Sequence, residues 1–181
     1  MRNAPERLIR DARRGKEAAF LRLLDEHHLP LFRFAWRLTG SIADAEDIVQ
    51  ECFMALLRQD CCFDPARTAI RTYLFGAVRN QSLKRLRQRE PGVAPEPADH
   101  RTPETEALRG ELAKAVAGAI AELPETQREV LLLAHYEQLS LAEIAEITQL
   151  EVTAVKSRLQ RARATLRETL AAYAPRTEST I

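Results

Sequence analysis

The sequence predicts an all-α protein made of two small helical domains. Strand signals are scarce, because the few β-branched residues follow helical spacing and no hairpin dipeptide separates alternating runs. Four of the nine prolines fall within residues 91–103, between two halves that are rich in helical periodicity. The clearest apolar stripe, at positions i, i+4, i+7 and i+11 of one helix, consists of Val155, Leu159, Ala162 and Leu166.

The proline-rich segment 91–105 is predicted to be a flexible linker between a domain at 15–90 and a domain at 106–172. An extended chain of this length, at ~3.3 Å per residue, reaches roughly 50 Å, the length of about 15 base pairs of DNA. The two domains can therefore contact well-separated DNA sites.

Four helices are predicted in the first domain, over 17–29, 31–38, from about residue 44, and over 68–89. Pro30 is expected to separate the first two, because proline removes a helix hydrogen bond. The third helix has acidic residues in its first turn, where the helix dipole favours negative charge. A loop over 60–66 precedes the fourth.

In the second domain, predicted helices over 106–122 and 126–137 precede a helix-turn-helix. Ser140 and Glu143 have the spacing of a capping box, which marks the start of a helix. After a turn, the second helix buries the apolar stripe and points Ser157, Gln160 and Arg161 away from it. Lys156, Arg163 and Arg158 lie on the flanks.

The buried stripe on one side of the second helix and the polar and basic side chains on the other predict a helix that binds in the DNA major groove. Outward side chains can reach base edges, where Arg pairs with guanine and Gln with adenine, while flanking cations meet phosphates. The alternative is a solvated basic face that binds nothing. The combination of a capping box, a small residue at Ala162 and a face without acids favours DNA binding.

Composition narrows the class of protein. No apolar run approaches the ~20 residues that span a bilayer, and the N-terminal residues lack the apolar segment of a signal peptide, so we expect a cytoplasmic protein.

The net charge is only +1, but residues 79–89 form a local basic cluster. Cys52, Cys61 and Cys62 are expected to be free thiols; a metal or redox role with His27 and His28 is the alternative.

Several motifs occur in order along both domains. They are DAEDIVQE at 44–51, FDP at 63–65, YLFGAVRN at 73–80 and LPETQREVL at 123–131. Together they make the chain resemble bacterial RNA polymerase sigma factors of the extracytoplasmic-function type. The resemblance extends over roughly residues 15–172 and implies a non-enzymatic transcription initiation factor without catalytic residues, metal or cofactor.

The resemblance implies specific partners for each domain. The first domain would be sigma region 2, which binds core RNA polymerase and opens the minus-10 promoter element, and the second would be sigma region 4, which reads the minus-35 element. Polymerase contacts would involve the β′ clamp coiled coil and the β flap, and an anti-sigma factor is a further expected partner. The implied polymerase-binding residues are Asp44, Glu46, Asp47, Gln50 and Glu51.

Residues that would hold melted minus-10 DNA follow from the same motifs. Aromatic rings stack on bases, cations follow the strand and an amide can read a base edge. The implied minus-10 set is Phe63, Arg71, Tyr73, Arg79, Asn80, Lys84 and Arg85. Phe75 and Trp36 are expected in the core instead. The implied minus-35 set is Lys156, Ser157, Arg158, Gln160, Arg161 and Arg163.

The chain departs from the family pattern at a few positions. Tyr73 stands where Trp is usual, and Gly76 where a basic residue is common. Gln149 occupies a turn position that commonly holds Gly and tends to need positive φ. Glu151 replaces the usual capping Ser before the second helix of the helix-turn-helix.

Two other functions are consistent with parts of the sequence. An operator-binding regulator would use the helix-turn-helix without joining polymerase. A metal-dependent nuclease would use Asp44, Glu46, Asp47 and Glu51 as a magnesium site. The second is disfavoured because these carboxylates share one helix, whereas Mg²⁺ sites usually draw ligands from separate elements.

Overall fold

A computed structural model describes residues 3–58, 61, 63–88 and 106–173, and for 3–5 and 106–109 it describes the backbone alone. These residues form eight α-helices, a final 3-10 turn and no strand, which confirms the all-α prediction. The predicted linker at 91–105 lies outside the described residues. The helices are α1 (Asn3–Arg13), α2 (Glu17–Thr39), α3 (Ile42–Leu57), α4 (Ile70–Gln88), α5 (Glu106–Glu122), α6 (Glu125–His135), α7 (Leu141–Thr148) and α8 (Val152–Thr169).

Helix α2 is the centre of the first helical group and packs against α1, α3 and α4. Its buried face contributes Phe34, whose ring meets that of Phe75 from α4 edge-to-face with centroids 5.4 Å apart. Phe75 is 1 % exposed, as expected for a core residue. Trp36 is partly buried and packs against the same core.

The prediction that Pro30 separates two helices is wrong, because α2 continues through it. Proline in a helix interior costs ~3 kcal/mol through a lost hydrogen bond and a steric clash. The residues after it, Leu31, Phe34 and Leu38, are almost completely buried on one face. Burial of each such side chain contributes ~1.5–3 kcal/mol, so tertiary packing outweighs the local penalty.

Helix α1 was not among the predicted elements. It packs on α2 through the buried residues Ile9 and Ala12. Gly15, at φ 79°, ends it in a Schellman turn: the Gly15 amide donates to the Ala12 carbonyl at 2.9 Å and the Lys16 amide to the Asp11 carbonyl at 3.1 Å. Helix α1 therefore meets α2 across a tight, glycine-dependent corner.

In the second helical group, α8 crosses α5, α6 and α7. Val155, Leu159 and Ala162 of α8 are buried and Leu166 packs at the edge of the core, which confirms the predicted stripe. The stripe faces the fully buried Val130 and Ile144 of α6 and α7. This packing fixes which face of α8 remains on the surface.

The two helical groups are in direct contact. Helix α4 packs against α7, and α2 packs against α6, so buried residues of both groups form one continuous apolar cluster. Within the described part of the chain, no helix is both long enough and apolar enough to cross a membrane.

Candidate DNA and polymerase interfaces

The helix-turn-helix begins with the predicted capping box. The Ser140 hydroxyl accepts from the Glu143 amide at 3.3 Å, and the Glu143 carboxylate accepts from the Ser140 amide at 2.8 Å and hydroxyl at 2.7 Å. These hydrogen bonds favour the charged carboxylate, so the pKa of Glu143 lies below its ordinary value. The cap fixes where α7 starts relative to α6.

The turn between α7 and α8 depends on Gln149, which has φ 57° in the left-handed region. The Gln149 amide donates to the carbonyl of Ala145, as does the Leu150 amide at 3.0 Å. The Gln149 side chain donates to the Glu146 carbonyl at 2.7 Å. The expected positive φ is therefore present without glycine, and Glu151 starts α8 without a side-chain capping bond.

Helix α8 places most of the predicted minus-35 residues on its surface. Four of them, Lys156, Gln160, Arg161 and Arg163, are exposed. Ser157 is half-buried and accepts a hydrogen bond from Arg161 Nη2 at 3.1 Å, and Arg163 contacts His135 Nε2 at 3.3 Å. The exposed surface thus comprises the face opposite the buried stripe, with Gln160 and Arg161, and the flank with Lys156 and Arg163.

The sixth predicted minus-35 residue, Arg158, points toward the interior and contacts Glu129 of α6. Glu129 is fully buried, and it also binds Arg79 of the predicted minus-10 set. Arg79 Nε lies 2.7 Å from Glu129 Oε2 and Arg79 Nη2 lies 3.2 Å from Oε1, while Arg158 Nη1 lies 3.4 Å from Oε1. One carboxylate thus joins a cation from each helical group.

A second contact between the groups involves Arg71 at the start of α4. Its Nη2 donates to the Glu137 carbonyl at 2.6 Å and lies 3.8 Å from the Glu137 carboxylate. Burial raises the pKa of Glu137, and the nearby Arg71 and Arg37 oppose that shift. Arg37 also lies over the ring of Tyr136, 4.1 Å from its centroid.

The other predicted minus-10 residues lie on α4 and the loop before it. Phe63 is 7 % exposed and its ring centroid is 5.0 Å from that of Tyr73, so the two rings form one aromatic unit. The Tyr73 hydroxyl is 3.2 Å from Cys61 Sγ. Asn80 and Lys84 are exposed, and Asn80 Oδ1 accepts from Arg79.

The predicted polymerase-binding residues form an acidic face on α3, which Ser41 caps by accepting from the Asp44 amide. Arg85 of α4 contacts three of these carboxylates. Its guanidinium lies 3.1 Å from Asp44, 3.8 Å from Asp47 and 3.5 Å from Glu51. Glu46 and Gln50 are exposed on the same helix. Arg85, predicted to contact DNA, is thus bound to the acidic face of its own domain.

Among the residues that the structure describes, no group of three or more His, Cys, Asp or Glu side chains could hold a metal ion. Burial, assisted by Glu51, raises the pKa of Cys52 to about 12, so its thiol stays protonated and unreactive at neutral pH.

An apolar groove runs between α5, α6 and α8. Its volume is about 600 Å³, and its apolar walls include Val116, Ile120, Leu131, Leu166 and Leu170. Tyr136 and Arg163 lie at its edge. The groove opens to solvent on the surface of the second helical group.

Sequence reasoning missed Glu129, whose buried carboxylate binds one cation from each helical group. The available signal was an acidic residue directly beside the apolar run 130–133, where an unpaired charge would be costly. Because its two partners are 50 and 29 residues away in the chain, the spacing within one helix gave no indication of the network.

Comparison with known proteins shows which family the chain belongs to. Sigma-70 region 2 matches residues 23–91, and Sigma-70 region 4 matches residues 113–166. The chain is 38 % identical over 162 residues to the extracytoplasmic-function (ECF) RNA polymerase sigma factor SigL of Mycobacterium tuberculosis, covering 85 % of this chain and 90 % of SigL. The protein belongs to the ECF sigma factors.

Other relatives extend the similarity across both halves of this sigma factor. SigW of Bacillus subtilis is 29 % identical over 177 residues, which cover 90 % of this chain and 94 % of SigW. The structure of CnrH in complex with the cytosolic domain of CnrY superposes with a TM-score of 0.72 at 30 % identity, over 94 % of this chain and 99 % of CnrH. An RpoE sigma factor from Bartonella quintana, solved with the anti-sigma factor NepR, shares the fold with a TM-score of 0.67 at 24 % identity, over 86 % of this chain and 98 % of RpoE.

Family membership establishes what this sigma factor does. It directs promoter-specific transcription initiation by RNA polymerase and is not an enzyme. The helix-turn-helix therefore belongs to region 4, and the operator-binding regulator and the nuclease are replaced by this assignment.

Proposed function

We propose that residues 15–90 bind core polymerase and the minus-10 element, and that residues 106–172 read the minus-35 element. The observation that carries the second assignment is the complete helix-turn-helix, which exposes Gln160 and Arg161 on the face opposite its buried stripe and Lys156 and Arg163 on one flank. Outward Gln and Arg suit base edges, and flanking cations suit phosphates.

We assign the acidic face of α3 to the β′ clamp coiled coil. Glu46 and Gln50 are exposed, and Arg85 forms ion pairs with Asp44, Asp47 and Glu51 on the same surface. A side chain held by a neighbour loses less rotamer freedom on binding, so Arg85 acts as a positioning residue for this face. Its contribution to polymerase binding is therefore indirect.

The half-buried ring of Tyr73, which packs against the buried Phe63, is proposed as the platform for melted minus-10 bases. Stacking on aromatic rings contributes ~1–3 kcal/mol per base. Asn80 and Lys84 are exposed on the same helix as Tyr73 and supply an amide and a cation. Arg71 and Arg79 would join them once region 4 moves away.

The contact between the two domains supports a closed state that binds promoter DNA poorly. Arg71 and Arg79 of the minus-10 set are bound across the interface to Glu137 and Glu129 of the other domain. Polymerase binding would separate the domains and place each at its own promoter element. Specificity then requires both domains at once.

Three further assignments complete the proposal. The apolar groove between α5, α6 and α8 is proposed as the site of the β flap, because it offers exposed apolar surface on region 4. An anti-sigma factor that covers both domains is the expected regulator, supported by the complex of the similar RpoE with NepR. The protein would act in the cytoplasm, where RNA polymerase works.

Run-off transcription tests the proposal as a whole. Promoters are mapped by sequencing the transcript starts induced by overexpression, and core polymerase is then assayed on those templates with and without the protein. We expect specific transcripts only when the protein is present. Silence on every mapped promoter would contradict the proposed division of labour.

Two arginines of α8 separate base reading from phosphate binding. Arg161→Ala should weaken use of the native promoter by ~1–3 kcal/mol and relax base preference at one minus-35 position. Arg163→Ala should weaken all promoters similarly and reduce the salt slope by about one. Equal, sequence-independent losses in both variants would show that the two faces are wrongly assigned.

A further inference from the structure

A basic cleft lies between α1 and the loop that precedes α4. Its volume is about 320 Å³, which is at the lower end of the ~300–1,000 Å³ usual for ligand sites. Arg10, Arg13 and Arg14 form its basic side. Ile9, Phe63 and Pro65 form its apolar side, and Glu6 is its one acidic lining residue.

Two of the three arginines of this cleft are not held in ion pairs with described residues. Arg10 and Arg14 are exposed and form no ion pair with any other side chain that the structure describes. The adjacent acid, Asp11, contacts Lys16 at 2.9 Å and Arg7 at 4.0 Å instead. The cleft therefore keeps a positive potential.

The third arginine, Arg13, is held in place by the fold. Its Nε donates to the Leu56 carbonyl at 3.0 Å, which ties the end of α1 to the end of α3. Its buried Nη2 has no hydrogen-bond partner within the described part of the chain. A guanidinium that is positioned in this way favours an anionic occupant, because ordering it costs little further entropy.

Three α4 cations of the minus-10 set are bound to acids, namely Arg71, Arg79 and Arg85. Arg85 is held by Asp44, Asp47 and Glu51 within its own domain, so it stays bound even when the domains separate. Lys84 is exposed but lies eleven positions beyond Tyr73 on α4. The cations that share a cleft with Phe63 come from α1.

We propose that this cleft binds backbone phosphates of the melted non-template strand beside the bases stacked at Tyr73. This inference rests on the proposed minus-10 function of region 2. Guanidinium groups bind phosphate oxygens through paired hydrogen bonds, and Ile9 and Pro65 offer apolar contact for a sugar or base. Helix α1 thereby becomes part of the DNA-binding surface.

The first test measures binding of holoenzyme to a forked promoter fragment with a single-stranded non-template tail. The variant Arg10→Ala/Arg14→Ala is compared with Arg7→Ala/Arg22→Ala, which removes two highly exposed arginines outside the cleft and gives the same net charge. We expect about tenfold weaker binding and a salt slope lower by about 1.4 for the cleft variant, from about 0.7 per released phosphate contact. The control should change binding less than about twofold.

A second measurement locates the contact on the strand. Each phosphate of the tail is replaced in turn by an uncharged methylphosphonate. With the wild-type protein, replacement of a contacted phosphate should weaken binding, and with the cleft variant the same replacement should have no further effect. If each phosphate replacement weakens binding of the cleft variant as much as it weakens binding of the wild type, the proposal is wrong.

Further controls separate the possible failures. Arg10→Lys/Arg14→Lys keeps the charge and should retain most of the salt slope. The Tm of the alanine variant is measured separately, because a folding defect would lower it. If wild-type holoenzyme makes no specific transcript, the proposed function fails. If wild-type holoenzyme does make specific transcripts, but the cleft variant binds the forked promoter as tightly as the control variant does, the proposed function stands and the cleft inference is wrong.

Discussion

At the scale of single residues, Gln149 shows how a turn can accept an unfavourable backbone conformation. Its φ of 57° is in the left-handed region, which costs a non-glycine residue roughly 1–2 kcal/mol. The bond from its side chain to the Glu146 carbonyl recovers part of that energy. The turn is therefore correctly formed but not optimised for stability.

Gln149→Gly should stabilise the protein by about 0.5–1 kcal/mol, because glycine adopts this φ without a Cβ clash. Urea unfolding followed by circular dichroism measures the change. Gln149→Ala is the control: it loses the side-chain bond, keeps the Cβ and should be less stable than the wild type. A glycine variant less stable than the wild type would mean that the side-chain bond outweighs the strain.

The residues of α8 also show what sequence can predict at this scale. The buried stripe followed from 100° periodicity, because a helix that packs on a core leaves its opposite face exposed. The pairing of Arg158 with Glu129 could not be predicted in the same way. It depends on a carboxylate from another helix, and a flanking cation looks identical in sequence whether it faces solvent or a buried acid.

At the scale of elements, α7 is stabilised mainly by its N-terminal cap and by burial of Ile144 and Ile147. A helix of eight residues is too short to be stable alone, so its start must be fixed by specific bonds. The reciprocal bonds of Ser140 and Glu143 satisfy two amides that would otherwise lack partners.

Ser140→Ala should cost about 1 kcal/mol of stability at neutral pH, because one helix-start amide loses its acceptor. The contribution of Glu143 has a defined pH dependence. Since folding lowers its pKa below the ordinary value of 4.5, its stabilisation is present above that value and is lost as the pH falls through the folded pKa. Urea midpoints measured across this acidic range test the prediction.

Glu143→Gln is the control for that pH effect, because glutamine retains an oxygen acceptor but does not titrate. The stability difference between wild type and Glu143→Gln should shrink on acidification. A stability difference that stays constant from neutral to strongly acidic pH would indicate that folding does not lower the pKa of the Glu143 carboxylate.

Element prediction succeeded where apolar spacing was long and regular, and failed where tertiary contacts decided the outcome. Most helices after Gly15 were located from periodicity and caps. The continuation of α2 through Pro30 requires the burial of Leu31 and Phe34, which local sequence does not reveal. Helix α1 is short and highly charged, so its Ile9 and Ala12 gave too weak a pattern.

At the scale of the whole molecule, the closed arrangement brings the predicted minus-10 cations Arg71 and Arg79 of region 2 to acids of region 4. The sequence predicted the two domains but not their contact, since the interface uses single charges and rings from distant segments. Arg37 over Tyr136 and Arg71 at Glu137 are examples. Neither pair lies within a recognisable motif for domain contact.

Tyr136→Ala/Glu137→Gln should shift the protein toward an open state without changing any predicted DNA-binding side chain. Loss of the cation–π contact and of a partly buried charge partner should disfavour closure by about 1–3 kcal/mol. We expect a larger radius of gyration by small-angle X-ray scattering and tighter DNA binding without polymerase.

Tyr173→Ala/Glu168→Gln is the matched control, because both residues are exposed on region 4 outside the domain contact. It should leave the radius of gyration unchanged. If the interface variant stays as compact as this control, the contacts at Tyr136 and Glu137 do not maintain the closed state.

The double pairing of Glu129 has a consequence for the speed of switching. When Arg79 leaves, Arg158 stays beside the same carboxylate, so opening does not strand a lone charge in a low-dielectric interior. We therefore expect opening to have a lower barrier than the rupture of an isolated buried ion pair, and the domains to separate on the timescale of a domain motion.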